Sequence, residues 1–317
     1  MTDYTPKIIP PDPGNPTEAA VTWQASKADD DGHGVTREPL ITWIASYPKS
    51  GSTWLRAFLA AYKTGSDVDI NALGMVGGDD LNPMHYQNVV GKPWKELTQF
   101  EAMATRGAAL LQLMHTYASL TPLFVKTHSF VGQLAEFPTI PVGMTRAAVY
   151  IIRDPRDIVS SLARHNRDSI DETIKQMGHP RMPITRESLF HVIGSWSLNV
   201  ESWSSPSASE LNVHVMRYED LLRQPIAYFE KMLAHVCWRP DAARLEHAIS
   251  ASCFTELQTQ EVANGFRERL GDEPFFHTGR EGAWRDVLTE GQISRIEGDH
   301  GKTMLKFGYK LETRKVS

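Results

Sequence analysis

Short apolar segments recur along the chain and give its clearest structural signal. They occupy residues 40–45, 123–126, 147–152 and 213–217. Runs of this length without polar alternation predict strands that are buried on both faces, as in a parallel sheet. Helical segments separate or follow these strands, at residues 53–63, 100–119, 156–165, 186–203 and 226–236.

This alternation of strands and helices predicts an α/β fold. We expect three layers, with a central, mainly parallel β-sheet flanked by helices. Right-handed crossovers would bring the carboxyl ends of the strands to one edge of the sheet, where a ligand is expected to bind.

Three segments lack a regular apolar pattern. Residues 1–38 contain four prolines between positions 10 and 16, so we expect a flexible N-terminal arm without regular structure. A strap over the active site or over a partner is the alternative. Residues 39–317 would then form a single domain. Two loop-rich regions, 64–99 and 166–185, are expected to shape a substrate pocket.

Composition and charge narrow the function classes. The 317 residues carry a formal net charge of −5, which argues against a whole-chain basic field for nucleic acid. The two cysteines, Cys237 and Cys253, suggest neither a zinc site nor a disulfide framework, so a reducing cytoplasm is the simplest compartment. The N-terminus lacks the pattern of a secretory signal, and the apolar runs are far shorter than the roughly 20 residues that span a bilayer. No metal is expected, because clusters of carboxylates and histidines are not evident.

Residues 47–54, which read YPKSGSTW, connect the first predicted strand to an apolar helix. Gly51 permits close backbone approach to a ligand, Lys49 adds a full positive charge, and Trp54 offers an aromatic face suited to a purine. Successive N–H donors stand near the helix N-terminus, where partial positive charge accumulates, on Ser50, Gly51, Ser52 and Thr53. This arrangement is typical of a phosphate-binding loop.

The loop differs from the ordinary nucleotide P-loop, because Lys49 precedes Gly51 by two positions and no lysine stands directly before the hydroxyl residues. A magnesium-dependent ATPase is therefore disfavoured. Two alternatives stay open on this pattern, a P-loop small-molecule kinase and a noncatalytic nucleotide-binding module.

A second charged segment follows the predicted strand at 147–152. Arg153 stands at the carboxyl end of this strand, and Ser161 lies on the second turn of the next helix. Arg153 can form a bidentate contact to a phosphate, and Ser161 can add a hydroxyl if its helix passes the same anion. An ion pair of Arg153 with Asp154 or Asp157 is the alternative.

A candidate base follows the strand at 123–126. Lys126 and His128 are two positions apart, so strand periodicity places them on one side. An unperturbed histidine, with a pKa of about 6.5, can accept a proton near neutrality. Lys126 can stabilise negative charge on a transferring group. Because the chain has 12 histidines, a structural role is the alternative for His128 on the pattern alone.

These segments together resemble the motifs of the cytosolic sulfotransferase family. Residues 47–54 resemble its 5′-phosphosulfate loop, residues 149–161 its 3′-phosphate-binding segment, and the Lys-Thr-His run at 126–128 its catalytic element. The resemblance covers about residues 40–311. It implies a P-loop NTPase-like sulfotransferase fold, in a bacterial-type member.

The resemblance also implies a role for each residue. Three residues would act in catalysis, with the histidine as base: His128, Lys49 and Lys126. The 5′-phosphate would be held by the loop, on Lys49, Ser50, Gly51, Ser52 and Thr53. Trp54 would stack on the adenine, and Arg153 and Ser161 would hold the 3′-phosphate.

Two weaker resemblances lie further along the chain. Tyr218 takes the position of a tyrosine that meets the adenine. Residues 275–286 resemble a glycine-rich closing loop, in which three residues are expected to bind the donor: Gly279, Arg280 and Gly282. The Arg-Lys pair usual in this loop is replaced by His277 and Thr278, which leaves the details of 3′-phosphate binding open.

The chain is thus predicted to be an enzyme that transfers a sulfuryl group from 3′-phosphoadenosine-5′-phosphosulfate (PAPS) to a hydroxyl or amine of a small-molecule acceptor. The transfer would be an in-line displacement that releases 3′-phosphoadenosine-5′-phosphate (PAP), with most of the rate supplied by positioning and electrostatics. A cytoplasmic location is expected, with neither a nucleic-acid partner nor a membrane span. The acceptor and the oligomeric state stay open.

Overall fold

The computed structural model describes residues 4–9, 20–25, 41–184, 191–270 and 273–312. The strands in these ranges are β1 Tyr4–Ile9, β2 Ala20–Ala25, β3 Ile41–Ser46, β4 Gly77–Asp79, β5 Leu123–Thr127, β6 Gln133–Leu134, β7 Phe137–Pro138, β8 Thr145–Ile152, β9 Pro183–Ile184, β10 His191–Val192 and β11 Val213–Arg217. The helices are α1 Ser52–Thr64, α2 Pro83–Val90, α3 Gln99–Thr116, α4 Pro155–Asn166, α5 Ile170–Gly178, α6 Trp196–Trp203, α7 Tyr218–Arg223, α8 Pro225–His235, α9 Ala242–Ala251, α10 Phe254–Asn264 and α11 Glu290–Lys306. Short 3-10 helices occupy Ile70–Val76, Trp94–Glu96, Val142–Met144, Pro206–Leu211 and Ala283–Asp286.

Five parallel strands form the central sheet, in the order β11-β8-β3-β5-β4. Four of them are the strands that the apolar runs predict, and β3 and most of β8 are fully buried. Burial on both faces is what such uninterrupted runs require. The predicted parallel sheet is confirmed.

The two faces of the sheet pack against different helices. Trp43 and Tyr150 belong to one buried cluster, with side chains from α3, α4, α5, α6 and α11. Their chain neighbours Ile44 and Ile151 point to the opposite face and pack with α1, α8, α9 and α10. This alternation gives the three predicted layers. Within the described ranges, no helix is both long and apolar enough to cross a bilayer.

The edge strand β4 lies inside the region 64–99, which was predicted to be loop-rich. It has only three residues, two of them glycines, so it carries no apolar pattern. Gly77 has a φ of 154°, and a Cβ there would lie 1.6 Å from the backbone oxygen of Phe124 in β5. The close approach of β4 to β5 therefore requires glycine at this position.

Helices also occupy parts of the two predicted loop regions. Within 64–99, α2 begins after Asn82, whose side chain accepts a hydrogen bond from the amide of Met84, and ends at Gly91 in the left-handed conformation. Within 166–185, α5 begins after Ser169, which caps it in the same way. These cap residues are the sequence signals for the two helices.

The helix predicted at 186–203 is shorter in the structure, because α6 begins only at Trp196. Ser195 caps it by accepting a hydrogen bond from the amide of Leu198, and Gly194 before it has a φ of 73°. His191–Val192 instead pairs with Pro183–Ile184 as a short antiparallel ribbon. Residues 186–190 of the predicted helix lie outside the described residues.

Two pieces of the predicted arm, 1–38, form regular structure. β1 and β2 pair antiparallel, with Tyr4 opposite Ala25 and Ile9 opposite Ala20. The expectation of an arm without regular structure is corrected for these two segments. Backbone pairing of this kind needs no apolar periodicity, and the prolines at positions 10 to 16 fall between the two strands, outside the described residues.

Candidate active site

A cavity of about 1140 Å³ lies at the carboxyl edge of the central sheet, next to the ends of β3, β4, β5 and β8. This is the edge at which the sequence predicts a ligand. Most of the predicted site residues line it, namely Lys49, Gly51, Ser52, Thr53, Trp54, Lys126, His128, Arg153, Ser161, Tyr218 and Gly279. The structure therefore brings together residues that are up to 230 positions apart in the chain.

The loop between β3 and α1 ends at Gly51, which is in the left-handed conformation with a φ of 111°. A Cβ at this position would lie 2.9 Å from Cδ2 of Tyr218, so glycine lets the loop lie against that ring. No side chain of the described residues caps the N-terminus of α1. The first-turn amides, beginning with Ser52 and Thr53, can therefore bind an anion.

Ser50 supports this loop from below and does not line the cavity. Its side chain is fully buried, and its amide donates a hydrogen bond to the carbonyl of Tyr47 at 3.3 Å. The turn already uses the amide of Ser50, whereas its Oγ is buried without a hydrogen-bond partner among the described residues, so the predicted phosphate contact of Ser50 stays a prediction.

Lys49 extends into the cavity, where its Nζ lies 3.4 Å from the centre of the Phe275 ring. Burial, and then the positive charges of Arg153 and Lys126, lower the pKa of Lys49 to about 7. A buried amine with this pKa responds strongly to an anion placed beside it.

Arg153 lies at the end of β8, as predicted. Its Nη1 donates a hydrogen bond to the carbonyl of Lys49 at 3.0 Å, and its guanidinium carbon lies 4.4 Å from the centre of the Tyr218 ring. Its Nε is buried and has no hydrogen-bond partner among the described residues. A buried donor without a partner is what a ligand oxygen would satisfy.

The alternative ion pair of Arg153 with a neighbouring aspartate is not formed. Asp154 instead caps α4 and pairs with Arg156, with 2.7 Å between Oδ2 and Nη2. Asp157 accepts hydrogen bonds from the amides of Gly282 and Trp284, at 2.8 and 2.9 Å.

An aromatic corner lies beside the loop. The rings of Trp54 and Tyr218 meet edge to face with centres 5.5 Å apart. Leu222 and Phe254 line the cavity next to them. Trp54 Nε1 is buried and has no hydrogen-bond partner among the described residues. This corner suits a flat heterocycle with polar edges.

His128 is held from two directions. Its Nδ1 lies 2.7 Å from the carbonyl oxygen of Ser46, and its own carbonyl accepts a hydrogen bond from Asn199 Nδ2 at 2.9 Å. Because a carbonyl can only accept, Nδ1 carries the proton and Nε2 keeps its lone pair. Burial, and then the charge of Lys126, lowers the pKa of His128 to about 4. The ring is therefore a neutral base at physiological pH.

Lys126 lies beside His128 in the cavity and pairs with Asp79, with 3.1 Å between Nζ and Oδ2. Burial alone would lower the pKa of Lys126, but Asp79 and Glu268 outweigh it and raise the pKa. Burial opposes ionisation of Asp79 as well, yet Lys126 and the amide of Leu81 hold its pKa at about 2. Lys126 thus stays positively charged in the site.

Several residues that line the cavity were not predicted from the sequence. Asp79 comes from the short strand β4, Glu268 pairs with Arg56 at 2.6 Å, and Arg164 and His165 lie on α4 beyond Ser161. Burial, with Lys49 and Lys126, lowers the pKa of His165 to about 4. Only the two α4 residues had a sequence signal, because they share a helix face with Ser161.

The closing segment 275–286 contacts the cavity through one of its three predicted residues. Gly279, with a φ of 59°, lines the cavity and packs so closely on Phe254 that a Cβ would lie 2.2 Å from its Cδ2. The amide of Gly282 is already bonded to Asp157, and exposed Arg280 pairs with Asp286. Neither Gly282 nor Arg280 lines the cavity, because both bind other protein groups.

The predicted substrate-pocket loops do contribute to the cavity. Residues 79–83 line it from the first loop-rich region, and Asn166, Asp168, Gln176 and Met182 line it from the second. Among the described residues, no group of three or more His, Cys, Asp or Glu side chains is placed to hold a metal ion.

Comparisons with known proteins identify the family of the chain. The family model for the sulfotransferase domain matches residues 41–308. The chain is similar to "Cytosolic sulfotransferase 17" of Arabidopsis thaliana, with 21% identity over 276 residues that cover 81% of this chain and 72% of that protein. It is also similar to "3-alpha-hydroxysteroid sulfotransferase" of Cavia porcellus, with 24% identity over 279 residues that cover 85% of each protein.

Solved structures share the fold. A retinol dehydratase in complex with retinol and PAP superposes with a TM-score of 0.58 at 16% identity, covering 87% of this chain and 84% of that one. Mouse sulfotransferase SULT7A1 complexed with PAP superposes with a TM-score of 0.56 at 17% identity, covering 84% of each chain.

Proposed function

The chain belongs to the sulfotransferase domain family and is a PAPS-dependent sulfotransferase, and from this premise we propose that His128 is its catalytic base and that its acceptor is a small molecule. The bond to sulfur forms from an acceptor hydroxyl or amine on the side of His128. The bond between sulfur and the 5′-phosphate oxygen breaks on the side of Lys49. The electron pair of that bond leaves with PAP.

His128 accepts the acceptor's proton at Nε2 as the new bond forms. The hydrogen bond from Nδ1 to the carbonyl of Ser46 supports this role, since it fixes the tautomer and leaves Nε2 unprotonated. This hydrogen bond is the single observation that carries the proposal. Lys126 is oriented by Asp79 and stabilises negative charge on the sulfuryl oxygens.

Lys49 neutralises the charge that develops on the departing phosphate. The amine acts in its protonated form, which the bound anion favours by raising the pKa of Lys49 again. The first-turn amides of α1, with Ser52 and Thr53, hold the 5′-phosphate. Arg153 and Ser161 hold the 3′-phosphate, and the adenine lies between Trp54, Tyr218 and Gly279.

The remaining assignments follow from the same family. Residues 39–317 form the catalytic domain and residues 1–38 an N-terminal arm, which the family match at 41–308 supports. A cytoplasmic location is supported by the relatives named cytosolic sulfotransferases. A small-molecule acceptor is supported by neighbours solved with retinol and androsterone. The cavity chemistry described above calls for no metal in the transfer.

Replacing His128 tests the base. We expect His128→Ala to lower the transfer rate by about 10² to 10⁴, the usual contribution of general base catalysis, while the Kd for PAP changes little. Transfer would be measured with labelled PAPS and a panel of phenols, alcohols and amines. His115→Ala, at an exposed histidine of α3 outside the cavity, is the matched control.

His165 is the competing base, because it lines the same cavity. Full transfer by His128→Ala together with loss of transfer by His165→Ala would assign the base to His165 and overturn the proposal. The pH dependence of the transfer rate at saturating PAPS tests for a base with a lowered pKa, and it does not distinguish His128 from His165, whose pKa is also about 4. Since the pKa of His128 is about 4, the rate should stay level above pH 5 to 6 and fall only as the pH approaches 4.

A further inference from the structure

Three cationic side chains meet in one part of the cavity. Lys49, Arg153 and Arg164 line it together with the hydroxyl residue Ser161. A small adjoining cavity is lined by Lys49, Ser161 and Arg164 as well. None of the three cations forms an ion pair with a carboxylate of the described residues, whereas the buried arginines Arg106 and Arg156 do.

The three cations are close enough to act on one another. Burial lowers the pKa of Arg164, and the charge of Arg153 lowers it further, while exposed Glu273 acts in the opposite direction. Arg164 in turn contributes to the lowered pKa of Lys49. Glu268 and Glu273 offset this positive charge only in part, since the pKa values of Lys49 and Arg164 stay lowered, so an anion bound among the three cations would be stabilised.

The geometry of α4 places Arg164 beside the predicted phosphate contacts. Ser161 and Arg164 are three residues apart, so they project from the same helix face. Arg153 stands just before the first turn of α4, and its buried Nε has no partner among the described residues. These groups can bind one anion together, at a position separate from the anion site at the N-terminus of α1.

The closing segment offers no comparable charge. His277 and Thr278 stand where a basic pair was expected, their side chains contact each other, and Arg280 pairs with Asp286 outside the cavity. The cation for a second phosphate therefore has to come from elsewhere in the site.

We propose that Arg164 is a donor-binding residue that, with Arg153 and Ser161, holds the 3′-phosphate of PAPS in place of the missing basic pair. The inference rests on the proposed donor, since it assigns one residue to one of the two phosphates. Arg164 reaches this phosphate from α4.

Two nucleotides that differ only in the 3′-phosphate test this assignment. The Kd values of PAP and of AMP would be measured by titration calorimetry for the wild-type chain and for Arg164→Ala. We expect PAP binding to weaken about 10- to 100-fold, as for loss of a charge-assisted hydrogen bond, and AMP binding to change less than about twofold. Arg164→Lys should recover part of the loss, because lysine keeps the charge and loses the planar fork.

Arg244→Ala is the matched control, because Arg244 is exposed on α9 and does not line the cavity. Its ratio of the PAP and AMP Kd values should equal the wild-type ratio. Circular dichroism and the Tm of the free proteins would verify that each variant is folded, and Arg164→Gln provides a second neutral replacement at the same position.

Three results would overturn the proposal. PAP and AMP could weaken equally in Arg164→Ala, or neither could weaken. The preference for PAP over AMP could be lost in Arg280→Ala instead, which would assign the 3′-phosphate to the closing segment. If the wild-type chain itself bound PAP no better than AMP, the donor assignment would fail together with this inference, whereas unchanged discrimination in Arg164→Ala would remove this inference alone.

Discussion

Lys49 occupies a position where burial and neighbouring cations act together on a single amine. Its pKa of about 7 means that its charge in the free protein changes within the physiological range. A bound phosphosulfate would raise the pKa again, because an adjacent anion favours the protonated amine. Donor binding and protonation of Lys49 are therefore linked.

This linkage predicts an alkaline decline in donor affinity. As the pH rises through 7, the free protein loses the Lys49 proton, so each binding event must take up a proton and the Kd for PAP should increase from about pH 7 to 9. Lys49→Arg should remove this decline, because arginine stays charged. Calorimetry in buffers of different ionisation enthalpy would measure the proton uptake.

Lys95→Ala, at an exposed lysine outside the cavity, should keep the decline and serves as the control. A pH-independent Kd in the wild-type chain would show that Lys49 is already charged before the donor binds. In His128→Ala, the Kd for PAP should increase above pH 7 as it does in the wild-type chain, since the pKa of His128 lies far below this range.

Some residues of the site can be located from the sequence, because the strand that precedes each of them determines its position in the fold. Lys49, Gly51 and Arg153 directly follow strands, so a parallel sheet brings them to one edge. Asp79 and Glu268 could not be found in this way. Asp79 reaches the site through a strand without an apolar pattern, and Glu268 lies in a segment after α10 whose path depends on packing.

Among the elements, α3, β4 and β5 are joined by a buried polar network around Arg106. Its Nη2 lies 2.5 Å from Asp80 Oδ2, and its Nε donates to the carbonyl of Thr139 at 2.7 Å. Thr127 of β5 donates a hydrogen bond to the same carboxylate oxygen at 2.7 Å. The network fixes β4 against β5 and so positions Asp79 beside Lys126.

Arg106→Met should therefore destabilise the protein strongly. Loss of one partner leaves the carboxylate of Asp80 buried without its cation, which typically costs about 3–5 kcal/mol of the free energy of unfolding. Urea unfolding would measure the loss. Arg295→Met, which breaks an exposed ion pair with Asp171, is the control and should cost about 1 kcal/mol or less. A similar loss in both variants would mean that the network contributes no more than a surface pair.

The predictability of each element follows from its length and packing. β3, β5, β8 and β11 are short, mainly apolar strands, and their prediction is confirmed. β4 is held by backbone pairing to β5, and its two glycines give no hydrophobic signal. The N-terminal ends of α2, α5 and α6 could have been predicted from their cap residues, but their packing on the sheet depends on tertiary contacts.

For the whole molecule, the cavity joins parts of the chain that are far apart in sequence. Its lining includes the loop after β3, the face of α4, the start of α7 and the closing segment. The two buried clusters lie on opposite faces of the sheet, and the closing segment contributes to both, through Trp284 in one and Phe276 in the other. A bisphosphate nucleotide that contacts all four segments at once would couple them and stabilise the folded state as a unit.

PAP should therefore raise the Tm of the whole chain more than AMP or ATP with magnesium at equal concentration. A ligand at about 100 times its Kd adds about 2.7 kcal/mol to the free energy of unfolding, which corresponds to a rise of about 4 °C for a chain of this size. Arg153→Ala should lose most of the PAP shift and keep that of AMP, because the second phosphate loses its cation. Differential scanning fluorimetry would measure the shifts, and a larger shift with ATP and magnesium than with PAP would favour a kinase over a sulfotransferase. All three ligands share the adenosine and the 5′-phosphate, so the Tm shift of PAP relative to AMP measures the effect of the 3′-phosphate, and that of ATP relative to AMP measures the effect of the β- and γ-phosphates with their magnesium ion.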